Sequence, residues 1–173
     1  MKITKLTLKK HKFFALRNIK QLVFEPNSVF QWVLGTNGSG KSTLLREFSP
    51  LAAVKNHYYE GGMKIVEGTD KNLSYRLTCD FSGSKNIYSF IEISPEGVET
   101  ELNPGHTATV YNNLVWQKFR IDKEIHEIRT GRRRFTACQP MDRKAWISRI
   151  SDADYTYALG YFKKLLSHYR DVL

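Results

Sequence analysis

Gly35, Thr36, Asn37, Gly38, Ser39, Gly40, Lys41 and Ser42 form the run GTNGSGKS, which satisfies the spacing G-x-x-x-x-G-K-[ST]. Each residue type in that spacing has a chemical use. Glycines at 35, 38 and 40 let the backbone turn tightly and aim successive N–H groups at a polyphosphate. Lys41 can set its ammonium against the terminal phosphates, and the Ser42 hydroxyl can ligate Mg²⁺. Residues 35–43, ending at Thr43, are therefore expected to bind ATP with Mg²⁺. A plain glycine-rich turn is the competing reading, and the flanking pattern argues against it. The five histidines, His11, His57, His106, His126 and His168, show no spacing for a metal site or a catalytic triad, so no catalytic residue is assigned.

A phosphate loop needs a strand before it and a helix after it. The apolar run 29–34 predicts the strand. Residues 42–48 predict a short helix with Leu44, Leu45 and Phe48 on one face, stopped by Pro50. Before the loop, 2–9 and 18–24 read as a hairpin-like pair of strands. After it, 63–66, 73–81 and 87–93 read as three more, separated by the turn compositions Gly61-Gly62, Gly68-Thr69-Asp70 and Ser82-Gly83-Ser84. Tyr75, Leu77 and Cys79 alternate with Arg76, Thr78 and Asp80, as a half-buried antiparallel strand requires. Tyr88, Phe90 and Glu92 alternate with Ile87, Ile91 and Ile93 in the same way. A turn is expected at Asn103-Pro104-Gly105, and helical spacing takes over from Thr109. Tyr155, Leu159, Phe162, Leu166, Tyr169 and Leu173 follow heptad spacing, which fits either the root of a coiled coil or a long helix packed on a domain.

Composition narrows the class. The 173 residues are 41% hydrophobic and 13% aromatic, enough for a core. Lysine and arginine total 27 against 17 acidic residues, a formal charge of +10 that favours a polyanionic partner beyond the nucleotide, DNA before others. Arg132, Arg133 and Arg134 form a compact cluster that can contact DNA phosphates or stand in solvent as a charged loop. No stretch approaches a membrane span and no signal peptide is visible, so an intracellular, cytoplasmic protein with no membrane partner is expected. Cys79 and Cys138 lack metal-ligand spacing and read as simple thiols.

Taken together, the strands beginning Met1-Lys2-Ile3, the early phosphate loop, the antiparallel meander and the heptad helix resemble the N-terminal half of an SMC-like ATPase head. Residues 35–43 and the segment from Phe135 through Arg143 to Ile147 make the resemblance strongest to the SbcC type, the ATPase partner of double-strand-break-repair nucleases, including its bacteriophage versions. It implies an α/β fold: a P-loop ABC-type half-domain over residues 1–150 with an antiparallel meander, and the root of a coiled-coil helix over 151–173. It also implies that a C-terminal lobe, from the same or another chain, brings the signature serine, the acidic Mg²⁺ motif and the catalytic glutamate. Dimerisation with a second head, a nuclease subunit and DNA complete the implied partners. The family uses a basic residue near the first strand to touch phosphate, and Lys12 occupies the position that fits; a solvated lysine beside Lys9 and Lys10 is the other reading. The family's loop glutamine is missing: Arg129 stands in its place, with Gln117 and Gln139 nearby but out of register.

Three functions from different classes follow. One is the ATP-binding half of a DNA-repair and recombination ATPase that controls a nuclease's access to DNA. A second is a stand-alone small phosphotransferase, for which the chain lacks an arginine-rich lid and an acidic catalytic strand. A third is a nucleotide-binding DNA-binding or assembly module without turnover.

Overall fold

The computed structural model describes residues 1–28, 31–130, 136 and 138–143, with the side chains at 128 and 129 excepted. The chain divides into two units, Met1–Thr130 and Gly131–Leu173. The expected boundary between 150 and 151 lies outside the described residues, as do Arg132, Arg133, Arg134 and the whole heptad seam from Tyr155 to Leu173.

The first unit is mixed α/β. Six strands form one open antiparallel sheet in the order β2-β1-β3-β4-β5-β6. They are β1 (Lys2–His11), β2 (Gln21–Phe24), β3 (Tyr58–Asp70), β4 (Leu73–Asp80), β5 (Ile87–Ile93) and β6 (Glu99–Glu101). Four short helices punctuate them: α1 (Lys12–Ala15), α2 (Lys41–Glu47), α3 (Ala108–Phe119) and α4 (Lys123–Arg129), with a 3-10 turn at Lys55–His57. Among the described residues, no helix is long and apolar enough to cross a membrane.

Strand alternation builds the core. Leu6 pairs with Val66, Val66 with Leu77 and Leu77 with Phe90, so one row crosses four strands on a single face. All four side chains are fully buried. Burying each is favourable by about 1.5–3 kcal/mol, which makes this row a large part of the sheet's driving force. Helix α3 covers it with Tyr111 and Val115, also fully buried, and Phe119 stacks on Phe90 with ring centroids 5.9 Å apart. Thr107 caps α3, its side chain accepting from Val110 N–H, which places the helix start where the periodicity predicts it. The opposite face is mixed, with Ile65, Ile91 and Ile93 beside Glu67, Arg76 and Thr78, and Arg76 of β4 forms ion pairs with Glu67 of β3 and Glu99 of β6.

Four expectations are corrected. Strand β3 continues through Gly61-Gly62 and Gly68-Thr69-Asp70 without reversing the chain, although Gly61 takes a left-handed φ of 73° where the pairing with β1 slips register. At Gly62 a Cβ would lie 2.7 Å from Tyr58 Cβ and 2.8 Å from the Tyr59 carbonyl, so the glycine serves close backbone approach, not a turn. Strand β6 was not foreseen, because three residues carry no readable alternation. Residues 31–34 form no strand: the six strands pair only with one another, and Trp32 and Leu34 stand 88% and 85% exposed. Leu45, expected on the buried face of α2, is exposed, and the buried residue there is Glu47.

At the end of β6, Glu101 ties the sheet to the α3 connection. Its Oε1 accepts from Phe90 N–H at 2.9 Å and Asn103 N–H at 2.8 Å, and its Oε2 accepts from the Ser89 hydroxyl. Burial works against the anion, but the hydrogen bonds from Ser89, Phe90 and Asn103 outweigh it and hold the carboxyl below its usual value of 4.5. A depressed carboxyl contributes stability that is complete above the ordinary carboxylate range and lost as pH falls through it. Urea denaturation across that range should therefore show a shallower acid loss of stability in Glu101→Gln than in the parent; identical slopes would contradict it.

Candidate phosphate-binding loop

Helix α2 starts at Gly40, which takes a left-handed φ of 100° and bends the chain from the loop into the helix. Glycine is required there twice over. The φ suits no β-branched or bulky residue, and a Cβ would lie 2.6 Å from Phe13 Cε1 and 3.0 Å from Phe14 Cε1. Phe13 and Phe14 belong to α1, so the aromatic pair forms the floor on which the loop turns.

Phe13 and residues 37–43 line an open cleft of about 240 Å³. Lys41 Nζ donates to the Gly35 carbonyl at 2.7 Å and the Thr36 carbonyl at 2.8 Å, closing the loop on itself. The first-turn N–H groups of α2 have no intrahelical acceptor and are available to an anion. Ser42 is exposed. No carboxylate lines the cleft among the described residues. A polyphosphate could take over the ammonium of Lys41 from the two carbonyls, and the Ser42 hydroxyl is free to face a cation.

Lys12 sits elsewhere. It begins α1, with its ammonium 5.8 Å from the centroid of the Tyr59 ring, and does not line the cleft. The basic residue that touches the loop is Arg17. Its guanidinium donates to the Gly38 carbonyl at 2.8 Å and the Phe13 carbonyl at 3.1 Å, and lies 3.9 Å from the Phe13 ring centroid. Sequence reading missed Arg17 because only the α1 turn, which reverses the chain between β1 and β2, brings it under the loop.

The far end of α2 is fixed by charge. Glu47 is 3% exposed, and around its carboxylate lie Tyr58 Oη at 3.0 Å, Arg46 Nε at 3.2 Å, His57 Nδ1 at 3.4 Å, His11 Nε2 at 3.7 Å and Lys64 Nζ at 3.9 Å. Burial disfavours the anion, yet His11, Lys64 and Tyr58 hold Glu47 well below the usual carboxylate range. Burial, opposed by Glu47, pulls Lys64 down. Burial and then Arg46 lower His57. The histidines dismissed on spacing thus meet in space. A bulge does it: the β1–β3 register shifts between Lys9 and His11, which turns His11 onto the core face opposite Tyr58.

In the second unit, Gln139 is exposed and its carbonyl accepts from Arg143 N–H at 3.1 Å. Gln117 is exposed on α3.

No protein-family model matches this chain, and no curated protein matches it either.

Removing the Arg17 guanidinium should loosen the loop. A hydrogen bond of this kind contributes about 1 kcal/mol, so amide exchange at residues 38–40 in Arg17→Ala should quicken roughly fivefold while exchange in β3 and β4 is unchanged. Unchanged loop exchange would contradict the assignment.

Proposed function

We propose that the chain is the ATP-binding half of an SMC-like DNA-repair and recombination ATPase head, whose nucleotide state governs a partner nuclease's access to DNA. The observation that carries this reading is the loop itself. A glycine-built turn enters α2, and Lys41 and Ser42 stand at an open cleft lined largely by residues 37–43. Backbone N–H groups of Gly38, Ser39, Gly40 and Lys41 would hold the phosphates, the Lys41 ammonium would offset their charge, and Ser42 would ligate Mg²⁺.

Two further features support half a site rather than a whole one. Among the described residues the cleft offers no carboxylate to complete an Mg²⁺ shell or to orient an attacking water. Residues 31–34, which enter the loop, also have no strand partner among the described residues, and they expose Trp32 and Leu34. A second lobe that adds a strand beside residues 31–34 would pair that backbone, cover both side chains and bring the missing acids. The net charge of +10 fits a DNA partner reached in part through Arg132, Arg133 and Arg134.

Alone, the chain should bind nucleotide without turning it over. Calorimetry should show ATP·Mg²⁺ binding to the parent and none to Lys41→Ala with the same circular dichroism. Hydrolysis should stay negligible until a C-terminal lobe is added. Equal affinity in the folded Lys41→Ala variant would overturn the reading, and turnover near ~1 s⁻¹ by the chain alone would favour a phosphotransferase.

A further inference from the structure

The cluster at the base of α2 has more ligand character than an ion-pair network needs. His11 is 2% exposed, yet neither of its ring nitrogens has a hydrogen-bond partner among the described residues, and His57 Nδ1 is likewise buried and unpartnered. Buried polar atoms are nearly always satisfied, and the two imidazole nitrogens that face Glu47 Oε1 do so only at 3.4 and 3.7 Å, longer than a good hydrogen bond, which leaves room for a partner of another kind.

We propose that His11, Glu47 and His57 form a binding site for a borderline transition-metal ion, Zn²⁺ by preference, that pins the phosphate-loop helix to the sheet. The donor atoms of the three residues lie within 4.8 Å of one another. His57 Nδ1 and His11 Nε2 stand 3.4 and 3.7 Å from Glu47 Oε1. A tetrahedral ion with bonds of about 2.0–2.1 Å has ligand–ligand edges of about 3.3 Å, so small side-chain movements close the site. Two imidazoles and one carboxylate are an established zinc donor set, and they leave a fourth position for water. The nitrogen donors select against Mg²⁺, which prefers oxygen, so this site is chemically distinct from the hydroxyl of Ser42.

The surroundings orient the ligands. Tyr58 O–H donates to Glu47 Oε2 and Lys64 stands beside the same oxygen, which leaves Oε1 toward the imidazoles. Arg46 and Lys64 are the opposing charges, and Arg46 is the nearer to the ligand oxygen, its Nε donating to Oε1 at 3.2 Å. Its side chain is 23% exposed and can swing into water when a cation enters. His57, with a side chain 33% exposed, provides the route in.

The test titrates the purified chain with Zn²⁺ by calorimetry and with Co²⁺ by visible absorption. One ion per chain is expected, with the intense Co²⁺ bands of four-coordinate geometry and a thermal midpoint raised by Zn²⁺. His57→Ala and the milder His57→Gln, both at a partly exposed position, should weaken binding by about tenfold or more and abolish the thermal shift. Lys41→Ala should bind Zn²⁺ as the parent does, which separates this site from nucleotide binding. Absence of binding, or binding undiminished in both His57 variants, would overturn the proposal.

Discussion

Glu47 carries the last backbone position of α2 into the protein interior, and its carboxylate lies where three segments of chain converge on that helix. His11 comes from the end of β1, His57 from the 3-10 turn, and Tyr58 and Lys64 from β3. A carboxylate 3% exposed is tolerable only with partners this close, and Lys64, itself 2% exposed, depends on it in return. Arg46 next to it has its carbonyl 3.0 Å from His126 Nε2 of α4, so a second element fastens the same turn. One end of α2 is thereby locked to the sheet while the other end presents the phosphate loop. Seven residues could not hold a helix by propensity alone. The loop's geometry is inherited from this charged base and from the Phe13–Phe14 floor below Gly40.

The same arrangement leaves the segment that enters the loop apart from the sheet. Its Leu6–Val66–Leu77–Phe90 row lies beneath α3, and among the described residues no strand of the sheet pairs with residues 31–34. The loop is therefore held from below and behind but not from the side on which a neighbouring strand would lie. Trp32, Leu34 and Leu45 are exposed around α2 and the segment leading into it. On the proposed reading, this apolar surface beside the glycine-rich loop is where a second lobe would pack.

Legibility in the sequence followed the range of the forces involved. Strands β4 and β5 were readable because burial on one face imposes alternation, as Tyr75-Leu77-Cys79 and Tyr88-Phe90 display. The start of α3 was readable from local spacing. Gly61-Gly62 misled because the demand for glycine came from Tyr58 and Tyr59 packing around the strand, not from a turn. Leu45 misled because helical periodicity assumes an apolar interior, whereas α2 buries an acid. The His11–Glu47–His57 grouping was invisible because a register slip between β1 and β3 and a 3-10 turn bring distant residues together without leaving a spacing. Arg17 reached the loop by tertiary folding alone.

Equilibrium denaturation of Glu47→Gln tests most directly whether this buried carboxylate holds the loop helix in place. Loss of the charge leaves Lys64 buried without its anion, so stability should fall by about 3–5 kcal/mol. A change below about 0.5 kcal/mol, the size of an ordinary surface substitution, would contradict the account.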